Sequence, residues 1–83
     1  MTLQDLERNF PKIHLLLICH LCSDAGFNFC VEDPRKCKIC DELVSEDLMI
    51  DVTMFQNSIK SFVVSHKGYQ KIKNLNLDIN WKL

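Results

Sequence analysis

Cys19-His20-Leu21-Cys22-Ser23-Asp24-Ala25-Gly26-Phe27-Asn28-Phe29-Cys30-Val31-Glu32-Asp33-Pro34-Arg35-Lys36-Cys37-Lys38-Ile39-Cys40 holds all five cysteines of an 83-residue chain. Two Cys-x2-Cys pairs, Cys19/Cys22 and Cys37/Cys40, are separated by 14 residues. Zinc takes four ligands in a tetrahedron, and a two-residue gap lets two thiolates reach one ion from a single turn. The spacing falls near that of structural sites of the zinc-finger type. On a helix, Cys19 and Cys22 also share one face. One structural Zn2+ held by Cys19, Cys22, Cys37 and Cys40 is therefore expected. Cys30 is the alternative to Cys19. It is in phase with Asn28 and Glu32 on the polar side of its segment, whereas Cys19 follows Leu15-Leu16-Leu17-Ile18 and also fits as a small buried residue. His20 is a further candidate ligand, although a histidine in such a run more often serves the core.

An odd number of clustered thiols, with no secretory signal ahead of them, argues for metal ligation in a reducing compartment rather than for disulfides. The expected location is intracellular, cytoplasm or nucleus. The longest apolar run, Ile13 to Cys22, is too short to span a bilayer. Ala and Gly are scarce, at one and two residues, while Lys, Ile and Asn number eight, seven and six. That bias suits an AT-rich coding sequence such as many viruses carry, and with it a viral accessory role.

Outward from the cysteines, the pattern is that of one small domain over residues 1–83. Thr2 and Asp5 read as the opening of a short helical turn, and Pro11 suits the first position of a new helix running to about Cys22. Gly26 is the natural stop of that helix. Phe27, Phe29 and Val31 alternate with polar residues as a short strand. Asp33-Pro34-Arg35 reads as a turn leading into the second cysteine pair, and Ser45-Glu46-Asp47 as a helix start. Val52, Phe55, Ile59, Phe62 and Val63 recur at helical spacing up to His66, with Gly68 as the close. Leu75, Leu77, Ile79, Trp81 and Leu83 alternate strictly with polar residues and read as a strand. The expected fold is α+β: two main helices with a small antiparallel sheet, stapled by zinc.

Hydrophobic residues make up 47% and charged residues 25% of the chain, which places it with globular domains rather than disordered segments. A net charge of −1 excludes a protein that grips nucleic acid by overall charge. The charge is uneven, however. Residues 1–51 hold five basic and ten acidic groups, and residues 52–83 hold five basic and one acidic. Lys60, Lys67, Lys71 and Lys73, with Tyr69 among them, make a basic region fit for phosphate contact and base stacking. It equally fits a solvated helix end whose lysines complement the dipole.

Enzyme chemistry has little support. There is no Gly-rich phosphate loop, no Gly-x-Ser-x-Gly and no His-Glu-x-x-His. A redox Cys-x2-Cys places its nucleophile at a helix N-terminus, and Cys19 lies toward a C-terminus. The chain is expected to bind another protein through a surface that includes Lys67, Lys71, Lys73 and Trp81, with nucleic acid as the alternative partner. The residues from Asn74 to Leu83 carry an apolar face with few other strands to pair with, so a homodimer joined at that edge is expected. Light scattering at tens of micromolar should return a dimer mass, and Trp81→Ala should shift it to monomer before unfolding; a monomer mass for the wild type refutes the dimer.

Overall fold

A computed structural model describes residues 2–54 and 59–75. In chain order the elements are α1 (Leu3–Asn9), α2 (Pro11–Asp24), β1 (Phe29–Val31), α3 (Pro34–Ser45), β2 (Met49–Asp51), β3 (Lys60–Val64) and α4 (His66–Leu75). The three strands form one antiparallel sheet in the order β1-β3-β2. The α+β class holds, but four helices stand among the described residues where two were expected.

Each helix end has a local cause. At the start of α1, Asp5 N donates to Thr2 Oγ1 at 3.1 Å while Thr2 N donates to Asp5 Oδ2 at 3.2 Å, a reciprocal capping box. Pro11 opens α2, where its missing N–H costs nothing. That helix ends with Gly26 at φ +83°, and Phe27 N donates to Cys22 O at 2.8 Å. This is a Schellman close. Asp33 caps α3 through its side chain, which accepts from Arg35 N at 2.9 Å, and Pro34 takes the first helical position. The Asp33-Pro34 pair is thus a helix start rather than a turn, and Cys37 to Cys40 lie inside α3. Ser45-Glu46-Asp47 is the end of that helix, not a start. Leu48 N donates to Leu43 O at 2.9 Å, with Asp47 left-handed at φ 63°.

The amphipathic helix expected from Val52 to His66 does not form over residues 60–64, while residues 55–58 lie outside the described residues. Residues 60–64 are the central strand β3, paired on both sides in the registers Phe29↔Phe62 and Asp51↔Phe62. Two ladders satisfy its backbone groups, and Phe62, fully buried, fills the core face. Ser65 then caps α4, accepting from Gly68 N at 3.0 Å. Gly68 therefore lies within a helix rather than ending one, and His66 stands at a helix start. The expected strand beginning at Leu75 falls on residues 76–83, outside the described residues, save that Leu75 itself ends α4.

Helix α2 is the spine. His14, Leu15, Leu16, Leu17 and Cys19 are all buried, and α1, α3, α4, β1 and β3 pack around it. The core joins Leu6, Leu15 to Leu17, Val31, Leu43, Leu48, Met49 and Phe62 with Cys19 and Cys40. His14 Nε2 lies 3.6 Å from Glu7 Oε2. Burial holds the His14 pKa below its ordinary value, with Lys36 adding to the shift and Glu7 opposing it.

Helix α4 lies tight against the backbone just before β2 at Gly68. A Cβ built there would stand 2.1 Å from the Leu48 carbonyl oxygen, and that oxygen already accepts from Ser65 N. Gly68→Ala gains about 1 kcal/mol of helix propensity. It should nonetheless destabilise the fold by about 1–3 kcal/mol, because α4 must move off the backbone at Leu48. Urea unfolding of the pair measures this, and a stabilised variant would contradict the close contact.

Candidate metal centre

Cys19 and Cys22 sit one turn apart on α2, and Cys37 and Cys40 one turn apart on α3. The two helices pack against each other, which brings the pairs onto neighbouring elements. Cys19 and Cys40 are fully buried in the core; Cys22 and Cys37 are partly buried. Burial, with smaller contributions from the nearby Cys40 and Cys22, pushes the Cys19 thiol up to about 12. The Cys40 thiol is likewise pushed up to about 11, by burial first and then by Cys37. Both thiols are therefore held in their protonated form at neutral pH.

Side-chain hydrogen bonds fix the surroundings. Ser23 Oγ donates to Cys19 O at 2.9 Å and accepts from Val64 N at 3.1 Å, tying the end of α2 to β3. Cys37 Sγ donates to Val31 O at 3.6 Å, tying α3 to β1. Cys30 lies elsewhere. It is exposed on the outer face of β1, with its Sγ 3.6 Å from Ser61 Oγ and 3.8 Å from Asn28 O. Cys19 lies near both Cys22 and Cys40. Among the described residues, no three His, Cys, Asp or Glu side chains converge closely enough to hold a metal ion. The thiols are two neighbouring pairs, not a closed tetrahedron.

His20, beside Cys19, stacks at a tilt on Tyr69 with ring centroids 4.9 Å apart. Its Nε2 is 3.7 Å from Asp24 Oδ2, and its buried Nδ1 has no hydrogen-bond partner among the described residues.

The basic residues are divided differently from the sequence pattern. Lys60 leaves the group: it lies on β3, with its Nζ 3.1 Å from each carboxylate oxygen of Asp41 on α3. That carboxylate raises the Lys60 pKa above its ordinary value. Lys67, Lys71 and Lys73 lie on α4. Lys67 Nζ donates to Glu46 O at 3.3 Å, and the Glu46 carboxylate is ion-paired with Lys12. The Lys12 hydrogen bond, followed by the charges of Lys12, Lys71 and Lys67, lowers the Glu46 pKa. Trp81 lies outside the described residues.

A concavity absent from the sequence reasoning opens beside this lysine group. Its volume is about 400 Å3, and it runs from Phe10 and Pro11 at the α1–α2 junction, past Leu16, to Leu43, Leu48 and Lys71. Phe10 is 49% exposed at its mouth. The only local signal was an aromatic residue placed directly before the proline that opens α2.

No protein-family model, curated protein or solved structure matches the chain.

The burial order of the thiols sets their reactivity. In the reduced, metal-free protein, iodoacetamide should label Cys30 first, then Cys22 and Cys37, with Cys19 and Cys40 labelled only on unfolding. Peptide mass spectrometry over time gives the order, and early labelling of Cys19 would contradict its place in the core.

Proposed function

We propose that the chain is a non-enzymatic intracellular interaction module, with a regulatory or accessory role, whose thin core is stapled by one zinc ion. The observation that carries this is the packing of α2 on α3, which puts Cys19 and Cys40, one from each pair, in a shared core. Four thiols suit zinc and leave no open position for chemistry. A domain of this size buries only about 60–65% of its unfolded surface, and a metal compensates for that. Closing the site requires the two pairs to draw together on one ion and each thiol to lose its proton. The thiolates then offset the burial of a dication.

The partner is a protein that meets the face bearing Lys67 and Lys71. Self-association belongs to the same proposal, with Trp81 in the contact. Nucleic acid is the second reading, favoured by a helix α4 that carries Lys67, Lys71, Lys73 and half-exposed Tyr69 and no acidic residue. Binding to single-stranded DNA or RNA that falls steeply with salt and is lost in Lys67→Glu/Lys71→Glu would support that reading. No binding at low salt removes it.

Cobalt tests the staple directly. The reduced protein should take up one equivalent of Co2+ and develop the thiolate-to-metal and visible bands of a tetrahedral sulfur site, displaced by Zn2+. Cys22→Ser and Cys37→Ser should weaken uptake by tenfold or more, on the order of the loss known for altered metal shells. Cys30→Ser should leave it unchanged. Folded protein that binds neither metal overturns the proposal, and loss of uptake in Cys30→Ser moves the site to Cys22, Cys30, Cys37 and Cys40.

A further inference from the structure

We infer that the concavity between the α1–α2 junction, the end of α3 and α4 docks a short peptide segment whose apolar side chains alternate with acidic ones. This deepens the interaction-module reading and is independent of the metal.

The floor is built from Ile13 and Leu16 of α2 with Leu43 and Leu48, and Phe10 stands half-exposed at the mouth. The volume of about 400 Å3 accepts one or two large apolar side chains. An aromatic ring left half in water beside such a floor is the kind of residue that anchors a partner.

The rim supplies the sign of the partner. Lys12 and Lys71 line this concavity, and Lys67 and Lys71 line a second, adjoining hollow that shares Glu46 and Leu48 and continues along α4 to Asn74. Among the described residues, Glu46 is the only acid lining either hollow, and its carboxylate is taken by Lys12. Lys67 reaches the Glu46 backbone oxygen rather than a carboxylate. A positive excess therefore surrounds an apolar floor. Acidic side chains flanking an apolar anchor complement it, while basic segments are repelled. Nucleic acid complements the rim but not the floor, because four aliphatic side chains offer a base edge no hydrogen bond.

A random 12-residue peptide library displayed on phage and selected on the full chain tests this. Selected peptides should carry two or more large apolar residues and a net negative charge. Measured by fluorescence anisotropy, their binding should weaken about tenfold for Phe10→Ala and for Lys71→Glu, and should weaken further with salt for the wild type. Both positions lie at the surface and away from the cysteines, and circular dichroism verifies that each variant keeps the fold. Selection of neutral or basic peptides, equal binding by both variants, or no enrichment overturns the inference. So does competition by a 12-nucleotide single strand, which assigns the face to nucleic acid. Cross-peaks between the Trp81 indole and Phe10 or Ile13 in peptide-free protein would assign the site to this chain's own residues 76–83 and overturn it as well. A protein that binds no cobalt yet selects acidic apolar peptides loses the staple and keeps the docking site.

Discussion

Helix α2 must be kept from water along most of its surface, and the remaining elements are arranged around that demand. Five of its residues, His14 to Leu17 and Cys19, are buried, and a buried Leu is worth roughly 1.5–3 kcal/mol relative to an exposed one. No single neighbour covers such a helix. The chain meets the demand by wrapping: α1 and α4 cover some sides, α3 another, and the sheet lies against the rest. The polar exception, His14, sits in this core beside Glu7 and is held toward its neutral form by burial.

Wrapping a short chain so tightly needs abrupt reversals. Both long helices end in the same hydrogen-bonded close, one through Gly26 and the other through Asp47. Aspartate is among the few residues other than glycine that visit the left-handed region at modest cost. The second reversal sends the chain from α3 straight into β2, and places the Leu48 carbonyl where Ser65 and Gly68 approach it. A single backbone oxygen thus joins the exit of α3, the end of β3 and the start of α4. The absence of a side chain at Gly68 is what lets those three elements meet.

The same compactness joins the two parts of the surface that bear on function. Glu46, at the end of α3, is gripped by Lys12 from α2 and lies beside Lys67 and Lys71 from α4. Residues far apart in sequence become one cationic rim around aliphatic side chains. One turn before Leu43 on α3, Cys40 is buried in the core near Cys19 of α2. Helix α3 therefore carries one cysteine pair of the proposed staple and one wall of the proposed docking surface.

Much of the N-terminal half was legible in the residues themselves. Thr2/Asp5, Pro11 and Gly26 act within one turn of their own position, so their caps and stops appear where the sequence places them, and the alternation around Phe29 and Val31 is local in the same way. The Asp33-Pro34 start of α3 was equally local but is shared by turns and helix caps, and only the continuation through Cys37 to Ser45 separates the two. Residues 60–64 were decided by tertiary structure. Phe62, Val63 and Val64 fit a helical stripe or a strand, and pairing with β1 on one side and β2 on the other selected the strand, because two ladders satisfy a backbone that a lone segment leaves to water. The pairing of the cysteines in sequence marked them as candidates from the start. That Cys19 rather than Cys30 faces Cys40 follows from helix packing across 21 residues of chain, a separation over which local periodicity carries no information.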